Sequence, residues 1–285
     1  MPRYCANVSW LFTDVPFLRR FEAAAAAGFE GAEFLWPSPD QLEGRSVDDL
    51  AAAIQASGLE VPAFNFDSGD TSAGWRGLAG VPEGRAALRA NIPVVIGLAH
   101  RLGTRKLNLL AGNAASPATR AAQLDVLVDG IAEAADAVAP HGMWVMVEPL
   151  NAVEFGDYLV NDAATALAII DRAGRPNVRY QSDIYHVAMA GEDPVAVIRA
   201  AAGRIGHVQF ADCPGRHEPG TGSLDWTAIL AALDETGYDD WIGLEYRPTD
   251  PASRDFSFLE PIGGSLRRAA ERSGRGAADV DERGE

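Results

Sequence analysis

The stretch His141-Gly142-Met143-Trp144-Val145-Met146-Val147-Glu148-Pro149 contains the unit from which the chain is built. A glycine ends a helix, a short apolar run follows, and an acid stands where the run stops. Glycine adopts the left-handed conformation that stops a helix without the steric cost of a Cβ. A run of four to six apolar residues after it is too short for a helix and reads as a strand buried on both faces. The same punctuation recurs at Ala27-Gly28-Phe29, Ser57-Gly58-Leu59, Leu102-Gly103-Thr104 and Thr236-Gly237-Tyr238.

Outward from this stretch, β-rich runs fall at residues 4–9, 31–35, 61–66, 106–110, 144–150, 178–183, 207–210 and 241–246. Between them lie longer Ala-rich segments with helical period, at 16–27, 124–139, 163–172 and 226–236. In the first, Phe17, Leu18 and Phe21 make one apolar stripe. Strand-plus-helix units of roughly 30 residues imply parallel strands joined by right-handed crossovers. Eight of them predict an α/β fold, a closed (β/α)8 TIM barrel in a single domain. No glycine-rich phosphate loop follows the first strand, as an open dinucleotide-binding sheet would require. The barrel is assigned to residues 1–272. Residues 273–285 are Gly-rich and charged and read as a disordered tail.

Of 285 residues, 47% are hydrophobic and the formal net charge is −16. So acidic a chain repels phosphate backbones and anionic lipid heads, which argues against nucleic acid or membrane as partner and for a small-molecule substrate. Two cysteines, Cys5 and Cys213, make no disulfide framework. With no basic-then-apolar start and no run of ~20 apolar residues, the expected location is cytoplasmic.

In a barrel, side chains at the C-terminal strand ends converge on one mouth. Four oxygen-bearing residues stand at the ends of four successive strands: Glu148, Asp183, Gln209 and Glu245, separated by 35, 26 and 36 residues. An acid closing an apolar strand is costly to desolvate without a cation or donor to face. Each could instead cap the next helix or pair with an arginine. Together they form an all-oxygen donor set, which suits one divalent ion, Mg²⁺ or Mn²⁺, over zinc.

These residues, with Ala6-Asn7-Val8-Ser9, Gly28-Phe29-Glu30-Gly31-Ala32-Glu33-Phe34, Glu148-Pro149-Leu150-Asn151, Ser182-Asp183-Ile184-Tyr185-His186, Gly206-His207-Val208-Gln209, the stretch from Arg216 to Gly222 and Gly243-Leu244-Glu245-Tyr246, carry a resemblance. The chain resembles hydroxypyruvate isomerases within the xylose-isomerase-like barrel superfamily, over roughly Arg3 to Tyr246. The resemblance implies that Glu148, Asp183, Gln209 and Glu245 bind one metal and that Glu148 and Glu245 form the acid/base pair. It implies that His186 and Arg216 hold substrate oxygens and that Glu154 touches substrate hydroxyls. Two departures fall where substrate should sit. The family often has His-Asn at the end of strand three, where this chain has Phe64-Asn65, and often Glu after Gly222, where this chain has Ser223. Asn65 and Arg76, in the loop after strand three, complete the expected substrate residues. Trp10, Phe34, Trp36, Phe66 and Trp75 are candidates for an apolar wall. Barrels of this family often pair, which makes a homodimer compatible with the resemblance.

The expected reaction moves a proton between adjacent carbons of a hydroxy-carbonyl acid or sugar, as in the interconversion of hydroxypyruvate and tartronate semialdehyde. A ketose 3-epimerase would use nearly the same residues. A zinc-dependent AP-endonuclease-like barrel would need more than five His and a basic face. A sugar-binding barrel without activity would not need both glutamates.

Overall fold

A computed structural model describes residues 3–115 and 119–262. The assigned tail at 273–285, and the end of the assigned barrel from 263 to 272, lie outside the described residues. Eight strands, all parallel where they pair, form one sheet: β1 (Arg3–Asn7), β2 (Ala32–Glu33), β3 (Ala63–Asn65), β4 (Lys106–Asn108), β5 (Trp144–Val147), β6 (Val178–Asp183), β7 (Ile205–Phe210) and β8 (Trp241–Leu244). Their order is β2-β1-β8-β7-β6-β5-β4-β3. Parallel bridges Gly31↔Glu60 and Phe34↔Phe64 join the two ends and close the barrel.

Helices connect the strands around the outside. The longer ones bury an apolar stripe against the sheet, as Phe17, Phe21, Ala24 and Ala25 do on Phe17–Ala26. Local signals set their ends. Ser46 and Asp49 form a reciprocal capping box at the start of Val47–Ser57, and Gly58, with φ 71°, stops that helix. The helix Arg85–Leu102 contains Pro93 and Gly97, which blur its period in the sequence. Its C-cap, Gly103, is left-handed as the punctuation predicts.

Most strands are shorter than the sequence runs, and β2 has only two residues, but β6 spans its run and β7 begins two residues before its own. Glu148 and Glu245 each stand one residue past the end of their strand. They are therefore free of the sheet's side-chain alternation and turn into the mouth. Phe34 and Phe64 stack at 5.1 Å with parallel rings, both buried, in the seam that closes the barrel. The phenyl ring that replaces the family's histidine is thus part of an apolar contact between β2 and β3.

Candidate active site

Glu148, Asp183, Gln209 and Glu245 are all buried at the C-terminal ends of β5 to β8. Oxygens of Glu148 and Asp183 and a ring nitrogen of His186 lie within 4.8 Å of one another. Asp183 caps the helix Ile184–Met189 through Oδ1, which accepts from Tyr185 N at 2.9 Å. Its other oxygen accepts from Arg216 Nη2 at 3.0 Å. The same Nη2 donates to Glu245 Oε1 at 2.6 Å. The capping and arginine-pairing roles weighed for these acids are therefore both real, and they coexist with convergence at the mouth.

Arg216 is only 1% exposed and is the counter-charge of the cluster. It comes from the loop after β7 and has φ 58°, a left-handed conformation that costs a non-glycine residue roughly 1–2 kcal/mol. The loop enforces it. Arg216 N donates to Asp212 O at 3.0 Å, and Asp212 N donates to His217 O at 2.9 Å. The Asp212 carboxylate gathers the loop by accepting from Cys213 N, Gly220 N, Leu224 N and Trp226 Nε1. The Arg216 guanidinium also lies 4.6 Å from the Trp10 ring and 5.1 Å from Tyr185.

Three buried carboxylates around one guanidinium hold their protons tightly. Burial first, then the charge of Asp183, lifts Glu148 to about 8. Burial lifts Asp183 to about 6, against the pull of Arg216 and two backbone amides. Burial pushes Glu245 well above the carboxylate range, with Arg216 opposing and Glu148 and Asp183 reinforcing. Asn108 Nδ2 donates to Glu148 Oε2 at 2.7 Å and fixes that carboxylate.

Gln209 turns its amide nitrogen toward Glu245 and Glu33, and its oxygen accepts from Gln181 Nε2 at 2.7 Å. The oxygen of Gln181 is buried and has no partner. His186 is buried, and Asn151 holds its ring from behind. Burial, with Arg216 and Arg247 nearby, depresses its basicity well below the ordinary range, so the ring is neutral. Glu154 sits at the rim, 3.3 Å from Arg247 Nη2 and 3.4 Å from Asn151 Nδ2. Asn65 is buried at the end of β3, beside Phe64, Gln181 and Gln209 around a small interior gap. Arg76 is half-exposed and donates to the carbonyls of Thr71 and Trp75 in its own loop. Its guanidinium lies 6.0 Å from the ring of Phe155. Ser223 is exposed and its hydroxyl bonds to Cys213 O.

Asn7, Glu33, Asn108 and Asp212 take part in this network although no role was read for them. Asn7 and Glu33 lie within stretches that carry the resemblance, and their position on short interior strands was the available signal.

Residues 21–262 match the family described as xylose isomerase-like TIM barrel. The chain belongs to this family. A Streptomyces coelicolor protein named "Putative hydroxypyruvate isomerase" is 40% identical over 93% of this chain and 98% of its own length. A 2-oxo-tetronate isomerase of Cupriavidus necator is 36% identical, covering 92% and 98%. A crystal structure from Brucella melitensis, described as an AP endonuclease of family 2, superposes with a TM-score of 0.84 at 35% identity, covering 92% of this chain and 99% of that one. Within the xylose isomerase-like barrels the chain groups with hydroxypyruvate and 2-oxo-tetronate isomerases, and it is an isomerase of the intramolecular oxidoreductase class. Among the described residues no helix is long and apolar enough to cross a membrane.

Proposed function

We propose that this xylose isomerase-like barrel isomerises a small 2-oxo hydroxy acid of the hydroxypyruvate or 2-oxo-tetronate class, by proton transfer through Glu148 and Glu245. The observation that carries this reading is the buried trio Glu148, Asp183 and Glu245 sharing the single guanidinium of Arg216. Carboxylates held in fixed positions at the mouth can take a proton from carbon and return it. The names of the relatives supply the substrate class.

The residues suit one divalent ion, Mg²⁺ or Mn²⁺. One arginine leaves the three carboxylates under-neutralised, and the donor set is hard oxygen. Glu148, Asp183, Glu245 and the side-chain oxygen of Gln209 would hold it. To serve as a ligand Gln209 must present that oxygen, and the unpartnered oxygen of Gln181 could then accept its amide. When bound, the ion supplies Lewis-acid stabilisation of the enediolate.

The chain's own groups do the rest. One of the two glutamates removes the carbon-bound proton, and the same or the facing one delivers it to the adjacent carbon. Asn108 holds Glu148, and Arg216 holds Glu245, in fixed orientations. His186 donates Nε2–H to a substrate oxygen. Arg216 lies close enough to the cluster to meet a second oxygen. Glu154 and Asn65 line the approach, and Arg76 serves as an outer attraction for the acid. The partner is a small molecule, and the reading places the enzyme in the cytoplasm, where Cys5 and Cys213 stay as free thiols.

An endonuclease reading has little to stand on. The chain has 24 basic against 40 acidic residues, and among the described residues the two possible ligand groups hold one histidine each, His186 with Glu148 and Asp183, and His207 with Cys5 and Glu33. The test is solvent deuterium incorporation in D₂O with added Mn²⁺, run on hydroxypyruvate, 2-oxo-tetronates and several ketoses. Deuterium in the acids supports the proposal. Deuterium only in ketoses would make the enzyme a 3-epimerase, and deuterium in none would overturn the class.

A further inference from the structure

Beneath the mouth lies a second buried acid that the proton-transfer reading does not use. Glu33, on β2, accepts from Asn7 Nδ2 at 2.9 Å and from Gln209 Nε2 at 2.7 Å, both on Oε1. Its Oε2 faces His207 Nε2. A Cβ on Gly243 would fall 2.3 Å from Glu33 Oε1. The Glu33 carboxylate therefore stands at the level of Gly243, two residues before Glu245 on β8, with a glycine making room for it. Glu33 is 2% exposed.

We propose that Glu33 is a positioning residue for Glu245, acting through the side-chain amide of Asn7. This rests on the reading of Glu245 as half of the acid/base pair. Asn7 Nδ2 has two hydrogens, one for Glu33 and one for Glu245 Oε2 at 2.8 Å. The other end of the amide is committed, because Asn7 Oδ1 accepts from Ser9 N at 3.1 Å. The amide nitrogen thus has one orientation, and Glu33 holds it there. Glu245 is then pinned at both oxygens, by Asn7 on Oε2 and by Arg216 on Oε1. The Asn7 link does not depend on which end of the Gln209 amide faces Glu245.

An acceptor is needed at position 33 because Asn7 Nδ2 donates to it. The methyl group of Glu33→Ala offers none, and leaves the Asn7 amide nitrogen held by Glu245 alone. Loss of such a supporting partner costs activity about 10–100-fold in comparable sites.

The experiment is a double-mutant cycle on full-length, Mn²⁺-supplemented enzyme, using the acid that the wild type turns over. Glu33→Ala and Asn7→Ala should each lower kcat about 10–100-fold while KM moves only a few-fold. The double variant should be no worse than the worse single, because both remove the same restraint. Losses that multiply, or an unchanged kcat in Glu33→Ala, overturn the proposal. Should Glu33→Ala fail to fold, Gly243→Ala provides the second test. It displaces the Glu33 carboxylate and removes no polar group, so kcat should fall with KM retained; wild-type kcat would overturn the proposal. A wild type inert on every acid and ketose sinks the isomerase reading and this inference together. An active wild type with a multiplicative cycle sinks this inference alone.

Discussion

The backbone amide of Asn151 donates to Nδ1 of His186 at 3.2 Å, and the Asn151 side-chain amide lies 2.8 Å from the same atom. A backbone N–H can only donate, so Nδ1 carries the lone pair and the proton sits on Nε2. That Nε2 lies 3.6 Å from Asp183 Oδ2, facing the acids.

His186 should accordingly remain a neutral Nε2–H tautomer from pH 5 to 8, as two-dimensional ¹⁵N correlation spectra of the ring would report. His186→Ala should cost kcat/KM about 10–100-fold, the value of one hydrogen bond to a charged oxygen, with no change of fold. A ring that titrates near pH 6.5 would contradict the assignment.

Glu245→Gln should abolish turnover, by about 10²–10⁴-fold or more, because the amide cannot carry the proton. The far-ultraviolet circular dichroism should be unchanged. Full activity would remove Glu245 from the chemistry.

The chelator-treated protein should lose stability as pH rises. Glu148 titrates near 8 in the fold against an ordinary 4.5, so the folded state keeps a proton that the unfolded chain releases. Its stabilisation is complete below pH 4.5 and disappears as pH climbs to about 8. Asp183, raised to about 6, contributes with the same sign at the lower end. Melting curves in a chelator from pH 4.5 to 8.5 measure this, and Glu148→Gln should flatten the upper part. A melting temperature that rises across this range would refute the assigned directions.

Divalent cations should raise the melting temperature, and more at pH 8 than at pH 6, because the buried acids must give up protons to bind them. Titration calorimetry of Mn²⁺ in two buffers of different ionisation heat counts those protons. Binding that releases none would mean the acids are already ionised.

Phe64→Ala should cost about 3–5 kcal/mol, read from denaturant midpoints, because it empties the stacked partner of Phe34 where β2 meets β3. A cost below 1 kcal/mol would show that the seam closes without the stack.

Much of the barrel was legible in the chain because each unit announces itself locally. A glycine ends the helix, an apolar run enters the sheet, and an acid or amide stands at its end, as at Gly142 to Glu148. The helix Arg85–Leu102 was not legible, since Pro93 and Gly97 interrupt its pattern while tertiary packing of Leu88, Ile92, Val95 and Leu98 holds it. The acids at the mouth were legible from position alone. The contacts among them were not. Arg216 comes from a loop whose path is set by Asp212, and a loop's path has no period to read. Glu33 occupies a two-residue strand, too short to show which way it faces, and its role exists only through Asn7 and Glu245 on neighbouring strands.

The placement of Arg216 also separates two kinds of heritable change. The acids stand at or directly after the ends of β5, β6 and β8, neighbouring positions around a paired sheet. Their counter-charge hangs on a surface-connected turn organised by a single aspartate. Insertions or swaps in that turn can therefore retune the proton affinity of the whole cluster while the barrel and its acids stay as they are. A lineage, or a designer, adapting this enzyme to a more acidic or more alkaline setting has its adjustment point between Asp212 and Gly222.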